Sequence, residues 1–188
     1  MSERTQSSIP FVGLHAHSGT GSPFDGLGYP GEHMDFAYQN GNDALALTDH
    51  GNMNGFAYQV QHAQKMMKEG KEFKPIFGVE AYFLPSIEEW RQELERVKED
   101  KKAKKSIDKS TSGTTVEDEG NKREVKNLLN RRRHLILLAQ NQKGLNNIFS
   151  LVSKSYREEN FYRFPRIDYA MLKEHNEGVI AASACLGG

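Results

Sequence analysis

Two histidines separated by a single residue, His15 and His17, are the clearest sign of chemistry in this sequence. Side chains two positions apart on a β-strand point to the same face, so both imidazole rings can reach one ion. Histidine is also the commonest protein ligand for metals near neutral pH. Taken alone, such a pair is more often exposed or hydrogen-bonded than metal-bound, so the wider context has to decide.

Other side chains that can bind metals recur along the chain at or near the ends of predicted strands. Each also has an ordinary interpretation: Asp25 suits a turn, Asp49 a helix cap, Glu80 an ion pair and Cys185 a buried thiol. Because these residues all lie at or near the ends of predicted strands, a shared site is favoured: βα barrels place functional groups at one rim. The side chains concerned are Asp25, Asp49, His50, Glu80, His134 and Cys185.

Five short apolar runs are predicted to be strands, and runs such as Ala44–Leu47 are apolar at successive positions. That pattern is typical of strands covered on both faces, as in parallel sheets. Candidate helices alternate with them, which favours an α/β fold with right-handed crossovers. His134 opens its strand, and we attribute this exception to an error in the predicted boundary. The predicted strands are Phe11–Ala16, Asp43–Thr48, Pro75–Phe83, His134–Ala139 and Gly178–Ser183, and the predicted helices are Glu32–Gln39, Asn54–Glu69, Leu145–Tyr156 and Asp168–His175.

A charged insertion at residues 84–133 interrupts this alternation. Ser86 and Glu89 have the spacing of a capping box, and a sparse apolar stripe follows at Ile87, Trp90, Leu94 and Val97. Residues 106–120 are rich in Ser, Thr, Gly and Asp, a composition typical of mobile segments. We interpret the insertion as a solvated helical hairpin or a flexible segment; the alternative is an arm that contacts DNA or another subunit through Arg131, Arg132 and Arg133.

The composition limits the classes of function. The chain of 188 residues has 25 basic and 25 acidic side chains, so bulk charge does not favour nucleic-acid binding, and any DNA contact must come from a local patch or a partner. A single cysteine excludes an internal disulfide. Residues 1–10 form a polar tail without the apolar core of a signal peptide, and no run is long enough to span a membrane. We expect a cytoplasmic protein.

Seven segments resemble, in order, the motifs of one family: the PHP domain of bacterial-type DNA polymerase III alpha subunits. The resemblance covers residues 11–83 and 134–188 and favours the polymerase branch over stand-alone PHP phosphoesterases. The matching segments are Leu14–Ser18, Phe24–Gly26, Ala44–Asn52, Lys74–Tyr82, His134–Ala139, Pro165–Asp168 and Ser183–Leu186.

The resemblance implies a site with two or three divalent metal ions, for which mixed His and carboxylate ligands suit Zn, Mn or Fe better than Mg. Glu80, His50 and Asp49 would be the catalytic residues, with Asp49 acting by orienting a neighbouring ligand. The implied metal ligands are His15, His17, Asp25, His50, Glu80, His134 and Cys185. Three other histidines, His33, His62 and His175, are assigned no role.

The resemblance also implies a distorted, seven-stranded βα barrel. The family's last motif, an Asp and a His, has no match before Gly188, so we expect about five strands and a site that lacks two ligands. The implied activity is metal-dependent 3′–5′ exonuclease when the domain is complete, with the rest of the polymerase, DNA and other replisome subunits as partners. The polymerase active site is expected outside this chain. Two alternatives stay open, a non-catalytic metal-binding module of the polymerase and a stand-alone phosphoesterase.

Overall fold

The computed structural model of the protein describes residues 4–5, 11–108 and 130–186, without the side chains of 101–108. Its elements are the helices α1 (Pro30–Gln39), α2 (Phe56–Lys68), α3 (Ile87–Asp108), α4 (Gln142–Ser155) and α5 (Tyr169–Glu174), and the strands β1 (Ala44–Leu47), β2 (Lys74–Phe83), β3 (Arg133–Ala139), β4 (Phe161–Tyr162), β5 (Phe164–Ile167) and β6 (Val179–Ser183).

The ten-residue strand β2 is the centre of the sheet and contacts three other strands. β1 pairs parallel to its first half, β5 pairs parallel to its last two residues, and β3 pairs antiparallel along its second half. β6 then pairs antiparallel to β3, and the short β4 pairs with β5. The main core lies between the sheet and α4, where Val79, Leu137, Ile148 and Leu151 are almost fully buried.

Four of the five predicted strands form close to their predicted limits, but the sheet is mixed rather than parallel. An apolar run shows that both faces of a strand are covered and carries no information about its direction. The predicted strand Phe11–Ala16 is wrong as a strand: only a bridge between Gly13 and Leu45 forms there. Two further hydrogen bonds, from Ala46 N to Gly13 O and from Thr48 N to Ala16 O (both 2.8 Å), hold this segment beside β1.

The segment from Leu84 to Val97, at the start of the insertion, packs against the rest of the protein. Ser86 Oγ accepts a hydrogen bond from Glu89 N (3.1 Å) at the start of α3. The apolar stripe of the insertion forms a buried cluster with Leu84, and Met171 of α5 packs against it. The interpretation as a solvated segment is therefore wrong for this stripe, because every member is at most 9% exposed. The Ser/Thr/Gly-rich part from residue 109 onward lies outside the described residues.

The buried side chain of Arg166 on β5 stabilises the packing of α3 against the rest of the protein. Its side chain is fully buried, and its guanidinium group lies 4.7 Å from the ring centroid of Trp90 on α3. Its Nε donates to Arg131 O (3.2 Å), and its Nη1 donates to Tyr162 O (2.8 Å) and Phe164 O (3.1 Å). Burial lowers the pKa of Arg166 to about 10, so the group stays charged at neutral pH.

Residues of the N-terminal tail that the structure describes contact α1. Thr5 N donates to Gln39 O (2.9 Å). Arg4 forms an ion pair with Asp43, and its guanidinium group lies 4.3 Å from the ring centroid of Tyr38.

We expect Arg166→Met to destabilise the fold by about 3 kcal/mol, because it removes the hydrogen bonds to three carbonyl oxygens and the contact with Trp90 while leaving the cavity of a fully buried side chain to be refilled. Urea unfolding of the variant and the wild type measures the difference. Arg91→Met, which changes an exposed arginine on α3, is the control and should stay within about 0.5 kcal/mol of the wild type. Equal effects of the two substitutions would contradict this role of Arg166.

Candidate metal centre

The site is built around Glu80, whose side chain has no exposed surface although it carries a carboxylate. Val79 and Ala81, its neighbours on β2, point into the core beneath the sheet, so the alternation of the strand directs Glu80 to the other face. Burying a carboxylate is costly unless positive or hydrogen-bonding groups surround it. Four imidazole rings meet this requirement. They belong to His15, His17, His50 and His134.

His15 and His17 approach Glu80 from the segment that runs beside β1. The Nε2 atoms of the two histidines are 3.1 Å apart, and they lie 2.5 Å and 3.2 Å from Glu80 Oε2. The segment forms no regular strand, yet its hydrogen bonds to β1 bring both rings to one point, as the i, i+2 spacing predicts.

His50 reaches the site because the register of β1 continues past the end of the strand. The parallel offset that pairs Leu47 with Phe77 also places His50 opposite Glu80 in an isolated bridge. Its Nδ1 lies 3.5 Å from Glu80 Oε1, and its Nε2 lies 2.8 Å from Asp25 Oδ2. The next residue, Gly51, has a φ of +66°, a conformation that glycine adopts without strain and that turns the chain away from the site.

His134 lies at the start of β3, and the direction of this strand explains its place in the site. Because β3 runs antiparallel to β2, its first residues are level with the last residues of β2, and His134 pairs with Tyr82. The attribution of its position to a boundary error is therefore wrong. β6 returns parallel to β2, so Cys185, just beyond its end, reaches the same rim, with its Sγ 3.7 Å from His134 Nδ1.

The described residues contain three groups in which three potential ligand atoms lie within 4.8 Å of one another. Glu80, His17 and His50 each belong to two of these groups. The groups are His15, His17 and Glu80; His17, Asp25 and His50; and His50, Glu80 and His134. Overlapping groups of this kind are the arrangement in which one carboxylate can be shared by neighbouring cations.

Asp49 does not join this cluster, although it is adjacent to His50 in sequence. Its buried carboxylate accepts hydrogen bonds from Ser18 N (2.7 Å), Ser18 Oγ (2.8 Å) and Ser22 Oγ (3.0 Å). Ser22 Oγ also accepts a hydrogen bond from His50 N (3.0 Å). Gly21 permits this close packing, because a Cβ there would lie 2.4 Å from Asp49 Oδ2. Asp49 thus holds the loop that carries Asp25, and the two serines are positioning residues that the sequence did not single out.

The charges of the cluster are strongly coupled. Burial would raise the pKa of Glu80, but the hydrogen bond from His17, the charge of His50 and the hydrogen bond from His15 outweigh it and lower the pKa to about 2. The hydrogen bond with Glu80 raises the pKa of His17 above its usual value, against the opposing effect of burial. The site thus keeps Glu80 ionised through the whole neutral range.

The side chains fit a group of bound cations. Within the described part of the chain, two buried ring nitrogens of the cluster, His17 Nδ1 and His50 Nδ1, make no hydrogen bond, and Glu80 Oε1 faces the imidazoles of His50 and His134. Imidazole, carboxylate and thiol donors together suit transition metals and zinc. A cavity of about 690 Å³ opens over the cluster and leaves room for a substrate.

The three histidines without a predicted role do not line this cavity. His33 contacts Leu27 O, His62 lies 3.0 Å from Asp35, and His175 lies 3.7 Å from Glu174. The cavity is also lined by residues that the sequence did not single out as functional, among them Tyr82, Tyr156 and Arg163. Aromatic side chains and a lone arginine have no distinctive spacing, so only the fold identifies them.

We expect Asp49→Asn to weaken zinc binding by about 10–100-fold, because the amide nitrogen would face donors of Ser18 or Ser22 and displace the loop that holds Asp25. Competition with a chromophoric zinc chelator measures the affinity. Asp100→Asn, at an exposed position of α3, should leave the affinity unchanged. An unaltered affinity in Asp49→Asn would contradict the positioning role.

We expect the metal-free and metal-bound proteins to respond to pH with opposite signs. The lowered pKa of Glu80 stabilises the fold above about pH 4.5, and this contribution is lost as the pH falls towards 2. The raised pKa of His17 stabilises the fold below about pH 6.5, and this contribution is lost as the pH rises through the raised value. The metal-free protein should therefore gain most from this pair between about pH 4.5 and 6.5.

Metal binding reverses the trend near neutrality, because histidine ligands must be deprotonated. Thermal unfolding with EDTA and with Zn²⁺, at about pH 6 and pH 8, measures both cases. The increase in Tm caused by Zn²⁺ should be larger at the higher pH, and Glu80→Gln should abolish most of it. A zinc effect that is equal at both pH values would contradict the assignment of histidine ligands.

Comparison with known proteins shows the family of the chain. Residues 13–188 match the model of the PHP domain. The chain is 37% identical over 181 residues to the DNA polymerase III alpha subunit of Aquifex aeolicus, which covers 96% of this chain and 13% of the relative. The corresponding subunit of Borreliella burgdorferi is 36% identical over 180 residues, with 95% and 12% covered. The chain thus spans about an eighth of the length of these relatives.

Two solved structures are similar over part of their length. An amidohydrolase from Chromobacterium violaceum aligns with 77% of this chain and 32% of its own, at 17% identity and a TM-score of 0.41. A protein assigned as a metal-dependent phosphoesterase from Bifidobacterium adolescentis aligns with 80% and 34%, at 11% identity and a TM-score of 0.42. Within the described ranges, no helix has both the length and the apolar character needed to cross a membrane.

The match over residues 13–188 includes every candidate ligand. The mixed sheet and its helices confirm the predicted α/β fold class. The chain therefore belongs to the PHP domain family and is similar to DNA polymerase III alpha subunits.

Proposed function

We propose that this chain is the N-terminal PHP segment of a replicative DNA polymerase III alpha subunit. In this proposal the histidine and carboxylate cluster binds two or three divalent cations, and the completed domain hydrolyses DNA from its 3′ end. The observation that carries the proposal is the overlap of the three ligand groups on the shared residues Glu80, His17 and His50. A single structural ion would need only one such group.

The donor set favours zinc, manganese or iron over magnesium. The proposed ligands are His15, His17, Asp25, His50, Glu80, His134 and Cys185. Magnesium prefers oxygen ligands and retained waters, whereas imidazole and thiolate suit the softer transition metals and zinc. When bound, such ions activate a water molecule and stabilise the attacking and leaving oxygens of phosphodiester cleavage.

The residues of the chain itself would prepare the site. Glu80 is buried and ionised, so it presents a fixed negative charge that two cations can share. Asp25 is more exposed than Glu80 and contacts His50 at the cavity, where it can hold a cation close to the substrate. Asp49, the third predicted catalytic residue, would act by holding the loop of Asp25 rather than by touching the substrate.

A role in replication is supported by the similarity to several bacterial alpha subunits. The partners would be the rest of the polymerase, including the remaining barrel strands, palm, fingers and thumb, and DNA held by the whole enzyme. Other replisome subunits could contact the insertion that begins with α3.

A second function, a metal-binding module without hydrolysis, is favoured by one feature of the site. The ligands come from segments as distant in sequence as His15 and Cys185, so bound ions would cross-link most of the domain. Metal binding would then contribute directly to folding. This function and the nuclease predict the same metal content and differ only in their activity on DNA.

We expect the purified chain to contain at least one divalent metal ion, and His15→Gln to reduce that content, because it removes a ligand of one group. Mass spectrometry of metals after gel filtration measures the stoichiometry. His175→Gln is a matched control outside the cavity and should keep the wild-type content. Wild-type protein without bound metal after exposure to Zn²⁺ or Mn²⁺ would contradict the proposal.

The nuclease itself is tested on a 5′-labelled oligonucleotide, with the chain alone and within the longer reading frame that contains it. We expect shortening from the 3′ end in the longer protein, eliminated by His15→Gln and by EDTA and kept in His175→Gln. Bound metal without DNA hydrolysis in either protein would reject the nuclease and favour the structural module. Release of phosphate from a small monoester without DNA hydrolysis would favour a stand-alone phosphoesterase.

A further inference from the structure

The cavity has a second part that the metal centre does not use. Beyond the histidines, one side of it is lined by four aromatic side chains and two arginines, which we call the aromatic–arginine wall. Its members are Tyr82, Arg132, Tyr156, Phe161, Arg163 and Phe164.

Tyr82 connects the wall to the cluster. Its ring is stacked parallel to His50 at 6.1 Å between centroids and lies 5.3 Å from His134. On its other side, Phe164 packs edge-on against it at 5.0 Å. Burial raises the pKa of Tyr82, so its hydroxyl stays protonated. A row of rings thus leads from the candidate cations into the outer cavity.

Arg132 lies against this row. Its guanidinium carbon is 3.8 Å from the ring centroid of Phe164 and 5.3 Å from that of Tyr82. Its Nη1 donates to Asn130 O (3.0 Å), while its Nε is buried and has no hydrogen-bond partner among the described residues. A guanidinium group that lines a cavity and stacks on an aromatic ring is suited to binding an anion beside an aromatic surface.

Tyr156 and Phe161 form an open stacking surface on the same cavity. Their rings lie 5.8 Å apart with an angle of 22° between planes. The two residues are 50% and 41% exposed, so the pair is not closed off by the core. Exposed, nearly parallel rings beside a cavity can stack on a flat ligand.

Arg163 occupies the turn between β4 and β5 in an unusual conformation. Its φ of +58° is the only positive value among the non-glycine residues that the structure describes. The left-handed region suits glycine and strains other residues, yet an arginine that lines the cavity is found here. Strained positions of this kind concentrate at functional sites.

These features together select the chemistry of a ligand. Stacking surfaces require flat, unpaired rings, and arginines require anionic groups close to those rings. Nucleotides in single strands offer both at regular spacing, whereas the bases of a duplex are already stacked. A small phosphate ester without a ring would leave Tyr156 and Phe161 unused. The chain has no net charge, so this local pair of arginines can provide the electrostatic attraction that its composition lacks.

We propose that the aromatic–arginine wall binds the unpaired end of a DNA strand, stacking its bases on Tyr156 and Phe161 while Arg163 and Arg132 contact its phosphates. This inference rests on the proposed function, because it places the strand end beside the candidate metals. It adds a preference for single strands over duplex DNA and over mononucleotides without a second base.

The test measures binding of a fluorescent oligothymidylate by anisotropy in EDTA, where no hydrolysis occurs. Arg163→Gly should weaken binding about fivefold or more, in proportion to one lost arginine contact. It should also reduce the slope of log Kd against log salt concentration by about 0.7. Because glycine suits the backbone at this position, the Tm of the variant should be unchanged or higher, which separates lost binding from lost folding.

A second variant tests the stacking surface. Tyr156→Ala combined with Phe161→Leu should weaken binding about tenfold and leave the salt dependence unchanged. Arg91→Ala and Phe36→Ala, at exposed positions outside the cavity, should bind like the wild type. Wild-type protein that does not bind the oligonucleotide, that binds a blunt duplex equally well, or whose affinity is unaffected by the wall variants would overturn the inference.

The outcome is independent of the nuclease assay. If the wall variants lose affinity in EDTA while the metal-loaded wild type hydrolyses no DNA, binding of single strands by the wall is supported and the nuclease activity is rejected. If the wild type hydrolyses DNA while the wall variants bind and react normally, the nuclease activity is supported and the binding role of the wall is rejected.

Discussion

The burial of one carboxylate, that of Glu80, is the constraint on which the site depends. An ionised group without exposed surface is tolerated only where compensating groups surround it. Here the compensation comes from imidazoles on three separate segments, which must all converge on the end of β2. Three features bring the imidazoles there: the register of β1 places His50, the direction of β3 places His134, and hydrogen bonds to β1 place the segment of His15 and His17.

The residues able to bind metals could be predicted from the sequence, whereas the directions of the strands could not. His15 and His17 are recognisable by their i, i+2 spacing and His50 by its place just after a strand, and the structure brings them together with Glu80. His134 was recognised too, but its place at the start of a strand made sense only once β3 proved antiparallel. Apolar runs report burial on two faces, and a strand buried on both faces can run either way.

Composition was misleading for the insertion, and the reason is physical. Charged residues dominate α3, yet the apolar positions at Trp90 and its stripe lie on one face and are buried. What fixes that face is Arg166, more than 70 residues away in sequence, through its stacking on Trp90 and its bonds to backbone carbonyls. Such a long-range partner leaves no local signal, and neither does a strand as short as β4.

The net charge of the chain does not describe the charge that a ligand meets in the cavity. A balanced chain does not attract DNA as a whole, but its acidic side chains Asp25 and Glu80 are turned towards histidines, while Arg132 and Arg163 line the outer cavity. Bound cations would add positive charge to the inner end of the same cavity. An anionic strand could then meet favourable charge along its whole path, although the sum over the chain is zero.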